Sequence, residues 1–138
     1  MGSWYTIGLC LGLGLGIGLA LVGILGSNVL GVGVGALVGA LSGAGVGFAI
    51  GDTAEALAGG VGGFLGALAA AAVVHGALRR GGTRLGIAAY VGVVGLLVCL
   101  FALIPFVGYV EVVVIPLVAA RMRGRQAARF AGLRTLAK

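Results

Sequence analysis

The sequence predicts an all-α membrane protein, a polytopic bundle of transmembrane helices with glycine-zipper packing. Hydrophobic residues make up 61% of the 138 residues and charged residues only 9%, whereas about 25% of the residues in a soluble domain are charged. The apolar residues form runs of membrane-spanning length. Most of the 30 glycines lie inside these runs, where glycine lets helix backbones approach each other closely.

Turn signals divide the apolar sequence into segments that can cross a bilayer. A hydrocarbon core of about 30 Å needs about 20 helical residues. The turn at Ser27-Asn28 separates the first two segments. Asp52 and Glu55 have the spacing of a capping box, which predicts the start of the third helix. That helix ends at a basic loop that begins with Arg79 and lies outside the hydrocarbon.

The apolar run from Leu85 to Ala120 is too long for a single crossing. Its 36 residues would extend about 54 Å as one helix. Pro105 and Gly108 predict a break, because proline cannot continue a helix and glycine permits a turn. The predicted spans are about 4–25, 29–50, 55–78, 85–104 and 106–122. The last segment is short, so the alternative is four spans with a re-entrant or interfacial segment.

The basic residues predict the orientation of these spans. If 106–122 crosses the bilayer, all nine Lys and Arg residues share one side, and that side is cytoplasmic by the positive-inside rule. We therefore expect five spans, with the amino terminus outside and the carboxyl terminus in the cytoplasm. Trp4, Tyr5, Phe106 and Tyr109 then lie at the outer interface, which favours aromatic side chains. The two acids that begin the third helix are expected to be solvated there.

Residues 1–120 form the predicted transmembrane bundle, and residues 121–138 form a basic tail. The tail can fold as an amphipathic helix that lies on the anionic inner leaflet. The residues predicted to contact lipid headgroups are Arg79, Arg80, Arg84, Arg121, Arg123, Arg125 and Arg129. A basic segment can also bind nucleic acid, but Phe130 is the only aromatic in the tail that could stack on a base. Lipid is therefore the expected partner.

Glycine recurs every four residues along the first three predicted helices. Residues four apart share one helix face, so this spacing leaves a groove without side chains. The glycines predicted to pack helices are Gly12, Gly16, Gly31, Gly35, Gly39, Gly43, Gly47, Gly59 and Gly63. Two interpretations remain open. The glycine faces either hold one monomer together, or they contact a second copy or a larger membrane complex.

The alternating segment from Leu11 to Gly18, followed by a helical hairpin, resembles the glycine-rich inner helix of rotary ATPase proteolipid c-subunits. The resemblance covers about eight residues and implies a hairpin of membrane helices. In that family a carboxylate lies mid-membrane on the second helix, whereas residues 31–51 contain no acid. The resemblance therefore does not extend to ion translocation by that mechanism. A bias toward Arg, Gly, Ala and Val is typical of a high-GC bacterial genome, so we expect a bacterial inner membrane.

Few residues could carry chemistry. Glu111 is the only acid within an apolar run, and such acids are candidates for proton or cation pathways. The alternatives are an acid that reaches interfacial water and an acid that contacts a partner. His75 has no second histidine or nearby acid, and Cys10 and Cys99 are expected to pack in the bundle. Thr6 has no base to activate it. We therefore predict no catalytic residue, no metal, no cofactor and no enzymatic activity.

Two functional classes fit this sequence. A structural or accessory membrane protein that packs through glycine-rich faces is favoured, because the helix centres are apolar apart from Ser42. The alternative is a small homo-oligomeric channel, transporter or holin-like permeabilising protein. A water-filled pathway needs polar lining and usually broken helices, which the sequence does not supply.

Overall fold

The computed structural model describes residues 3–104 and 106–134, and the side chains only as far as Met122. The described residues are all-α and form five helices. These are α1 (Ser3–Leu25), α2 (Val29–Ile50), α3 (Thr53–Leu78), α4 (Arg84–Phe101) and α5 (Val107–Arg134). The first four are long and apolar enough to cross a membrane. The chain is therefore a multi-pass integral membrane protein with four candidate spans.

Local hydrogen bonds begin the helices where the sequence predicts turns. The side chain of Asn28 accepts a 2.6 Å hydrogen bond from the backbone N–H of Gly31 and caps α2. At the start of α3, Glu55 Oε2 accepts a 3.1 Å hydrogen bond from the N–H of Asp52. The fourth helix ends at Phe101, before the predicted end at 104. The reason is the proline that follows, because the residue before a proline disfavours helical geometry.

The fifth helix is continuous from Val107 to Arg134, with Pro116 inside it. The predicted boundary between bundle and tail, at residue 121, falls within this helix. Its apolar part ends at Arg121, and α5 is not among the four candidate spans. A fifth crossing therefore stays a prediction.

The first helix lies at the centre of the bundle and contacts all four of the others. The largest fully buried side chains, Leu15, Val22 and Cys10, all belong to it. By contrast, α2 and α4 expose rows of apolar side chains, among them Leu41 and Leu100. The core is thus built around α1, a glycine-rich helix, and the outward faces of α2 and α4 are apolar.

Candidate functional site

Glycines of three helices meet in two layers at the centre of the bundle. In the first layer, a β-carbon on Gly14 of α1 would overlap the carbonyl oxygen of Gly59 in α3. A β-carbon on Gly59 would in turn overlap the carbonyl oxygen of Gly43 in α2. Each of these positions therefore needs glycine, because a side chain would displace the backbone of a neighbouring helix. We call this layer the first glycine junction.

The second glycine junction lies about one helical turn along, and it consists of Gly18, Gly39 and Gly63. A β-carbon on Gly18 would overlap the carbonyl oxygen of Gly63, and one on Gly63 would overlap that of Gly39. A β-carbon on Gly39 would lie 3.1 Å from the Cα of Gly18. Such close backbone approach permits weak Cα–H···O contacts between the helices.

The other glycines that the sequence predicts to pack helices divide among several neighbours. Gly12 faces Gly108 and Glu111 of α5, and Gly16 faces Gly95 and Cys99 of α4. On α2, Gly35 lies against Val22 of α1, and Gly47 lies against the backbone of Glu55 and Ala56. Gly31 lies beside the turn that precedes its own helix, next to the carbonyl oxygen of Leu25. The α2 ladder is therefore occupied by α1 and α3 of the same chain.

A carboxylate of α3 is tied to α1 near one end of the bundle. Thr6 Oγ1 donates a 2.7 Å hydrogen bond to Glu55 Oε1. The side chain of Glu55 is only 7% exposed, so the expectation that it is solvated is wrong, whereas Asp52 is exposed as expected. The absence of side chains at Gly47 and Gly51 makes room for Glu55, because a β-carbon on Gly51 would lie 2.7 Å from its carboxyl carbon.

Glu111 is enclosed between α1 and α5. It is 8% exposed, and its Oε2 atom has no hydrogen-bond partner among the described residues. A β-carbon on Gly12 would lie 3.0 Å from this oxygen and 2.5 Å from Cβ of Ala102. The carboxylate thus occupies space that glycine leaves free. This burial disfavours the interpretation that Glu111 reaches interfacial water, and a role in a proton or cation pathway stays a prediction.

The four aromatic residues that the sequence assigns to one interface lie together at the same end of the bundle. The rings of Trp4 and Phe106 stack with their centroids 4.8 Å apart. The hydroxyl of Tyr109 donates to the carbonyl oxygen of Trp4, and that of Tyr5 donates to the carbonyl oxygen of Leu103. Sequence patterns do not predict that Phe106 has a positive φ of 69°. Its position directly after Pro105 is the one available signal.

The described basic side chains lie toward the opposite end. Arg79, Arg80, Arg84 and Arg121 are all exposed. The side chains of Arg123, Arg125 and Arg129 lie outside the described part of the chain. His75, one turn before Arg79, places Nδ1 2.9 Å from the carbonyl oxygen of Ala71.

Both cysteines are free. Cys10 is buried, and Cys99 Sγ lies 3.7 Å from the carbonyl oxygen of Leu13. Within residues 3–104 and 106–134, no three His, Cys, Asp or Glu side chains are grouped so that they could hold a metal ion. That both cysteines serve as small packing side chains stays a prediction.

No protein-family model, curated protein or solved structure matches this chain.

The arrangement of these residues is better suited to holding helices together than to conducting ions. Backbone contacts at the two glycine junctions fill the space between α1, α2 and α3. Glu55 and Glu111 lie on different neighbours of α1, and each is enclosed. Among the described residues, Oε2 of Glu111 is the buried side-chain oxygen that has no hydrogen-bond partner.

Proposed function

We propose that this chain is a non-enzymatic structural or accessory membrane protein. It forms a rigid, self-packed helical unit that contacts a second copy or a larger membrane complex through its outward faces. The observation that carries this proposal is the pair of glycine junctions, where a side chain at any of several positions would overlap backbone. Glycine reduces helix stability by up to about 1 kcal/mol per position relative to alanine in water. Its repeated use is explained by the close packing that it permits.

The outward faces of α2 and α4 are the surfaces on which a partner would bind. The α2 glycines that could form a groove are already occupied within the monomer. The remaining surface of α2 presents large apolar side chains such as Leu37 and Leu41, and α4 presents Leu96 and Leu100. Side-chain packing, rather than an unfilled glycine groove, is therefore the proposed mode of association.

Native mass measurement in mild detergent, combined with cysteine crosslinking in membranes, tests this proposal. Leu41→Cys and Leu100→Cys place thiols on the two outward faces. We expect a crosslinked product larger than the monomer from at least one of them, and a matching assembly in the native mass spectrum. Wild-type protein is the control for the two native thiols, because Cys10 is buried and Cys99 is half-buried. Monomer in both measurements would contradict association through these faces.

The proposed orientation has five spans, with the amino terminus outside and the carboxyl terminus in the cytoplasm. It is supported by the positive-inside rule and by the opposite ends at which the aromatic cluster and the exposed arginines lie. Cysteines placed singly at Ser3, Arg80 and Lys138, in a protein whose Cys10 and Cys99 are replaced by alanine, test it by labelling with a membrane-impermeant maleimide. Ser3→Cys should react in intact cells, and the other two only after permeabilisation. Labelling of Lys138→Cys in intact cells would instead support four spans.

A second candidate function is a small channel or transporter that uses Glu111. The specific observation in its favour is the enclosed Oε2 atom, which has no hydrogen-bond partner among the described residues. Intramembrane acids are costly and are often parts of proton or cation pathways. The filled centre of the bundle opposes this candidate, because conduction needs a polar pathway.

Ion flux into liposomes separates the two functions. We expect no selective flux from wild-type protein if the structural role is correct. Selective proton or cation flux that Glu111→Gln abolishes, and that Asp52→Asn leaves unchanged, would replace the structural proposal with the transport one. Asp52 is the matched control because it is an exposed acid. Unselective leakage that both variants retain would favour a holin-like permeabilising protein.

A further inference from the structure

A groove lies beside the last turns of α3, at the end of the bundle that carries the arginine loop. At the two glycine junctions, α2 contacts α3 through Gly43 and Gly39. One turn nearer that end, the atoms nearest to Gly35 belong to Val22 of α1. Beside this contact, the groove runs along the last turns of α3 and reaches Val29 at the start of α2. The groove has a volume of about 560 Å³, which is within the range of roughly 300–1,000 Å³ typical of small-ligand sites.

The groove has an apolar floor and a basic end. Its described lining residues are Val29, Leu68, Ala71, Ala72, His75, Gly76 and Arg79. The small side chains of Ala71 and Ala72 leave space on a helix surface that faces the membrane. His75 and Arg79 are four residues apart, so they lie on one face of α3.

The two basic residues have the chemistry of a phosphate site. Arginine presents a planar group of N–H donors that matches phosphate oxygens. A carbonyl oxygen only accepts hydrogen bonds, so the 2.9 Å contact with Ala71 places a proton on Nδ1 of His75. The other ring nitrogen, Nε2, is then the atom that can meet a ligand, and it donates to a phosphate oxygen when both ring nitrogens carry a proton. No acid is among the described residues that line the groove.

We propose that this groove binds an anionic phospholipid, with its phosphate at Arg79 and His75 and an acyl chain along Ala71 and Ala72. The inference depends on the membrane location of α3, one of the four candidate spans, and not on the accessory role proposed above. Within a bilayer, acyl chains surround this surface and headgroups lie at its end. The positive charge of Arg79 selects an anionic headgroup over a neutral one.

Lipid titration with native mass spectrometry in mild detergent tests the site, with phosphatidylglycerol as the probe and phosphatidylcholine for comparison. Arg79→Gln should weaken phosphatidylglycerol binding by about five-fold, the effect of one basic residue near a membrane surface. Arg80→Gln is the matched charge control, because Arg80 is exposed but does not line the groove. It should change the affinity much less.

A second variant fills the groove without changing charge. Ala72→Leu should weaken binding of phosphatidylglycerol, whereas Ala89→Leu, at an exposed position of α4, should leave it unchanged. Equal losses from Arg79→Gln and Arg80→Gln, or no loss from Ala72→Leu, would overturn the site. Equal binding of both lipids would also overturn it. A dimer that only Ala72→Leu converts to monomer would show that a second copy occupies the groove instead.

Discussion

The hydroxyl of Thr6 in α1 lies 2.7 Å from Oε1 of Glu55 in α3, although the two residues are 49 positions apart along the chain. Glu55 Oε2 accepts a second hydrogen bond from the backbone N–H of Asp52. One carboxylate thus both begins α3 and fixes that end of the helix against α1. The consequence is that a local capping interaction and a long-range helix contact depend on the same side chain.

Thr6→Val should lower the stability of the bundle. Valine has the shape of threonine but cannot donate, so a buried carboxylate oxygen would lose its partner. We expect the melting temperature in detergent to fall by roughly 3–5 °C. Thr53→Val is the control, because Thr53 is exposed at the same end. If both variants melt like wild type, the bond from Thr6 to Glu55 does not contribute to stability.

Gly43→Ala and Gly45→Ala should change the free energy of unfolding in opposite directions, although the two positions are only two residues apart on α2. A β-carbon on Gly43 would overlap the carbonyl oxygen of Gly59, whereas a β-carbon on Gly45 would meet no atom of the described residues within 4 Å. Overpacking of this kind reduces the free energy of unfolding by about 1–3 kcal/mol. Alanine at Gly45 should instead stabilise α2 slightly through its higher helix propensity. Equilibrium unfolding in micelles measures both, and equal effects would contradict the packing at the first glycine junction.

Phe106→Gly should give a more stable protein than Phe106→Ala, the reverse of the usual order in a helix. Both variants lose the stacking on Trp4. Only glycine relieves the positive φ of 69°, which is unfavourable for other residues by about 1–2 kcal/mol. Equilibrium unfolding again measures the difference. At the exposed control position Val110, alanine should be more stable than glycine, and the same order at both positions would contradict the left-handed conformation of Phe106.

The helix boundaries could be predicted from the sequence, because the end of a helix depends on nearby residues. The predicted segment 29–50 coincides with α2, since Asn28 caps a backbone group three residues away. The all-α membrane fold is confirmed, with four helices of spanning length and composition. The fifth span stays a prediction, because Arg121 ends the apolar part of α5 early.

The residues that each glycine or acid contacts could not be predicted from the sequence, because these contacts depend on which helices become neighbours. The glycine spacing predicts a face without side chains, but it does not indicate that Gly43 meets α3 while Gly35 meets α1. Glu55 is buried against α1, where its hydrogen-bond partner Thr6 is distant in sequence. For Glu111, the sequence supplies an acid in an apolar run. Only the fold shows that the carboxylate of Glu111 is enclosed next to Gly12, in the space that a side chain there would fill.

The central position of α1 has a consequence for biogenesis. This helix is synthesised before the four that surround it, and translation proceeds at about 5–20 residues per second. It therefore enters the bilayer with its glycine faces open to lipid, and roughly 5–20 s pass before the residues of α5 follow. The faces toward α4 and α5 close last, so the first helix to be inserted is also the one whose surroundings are completed latest.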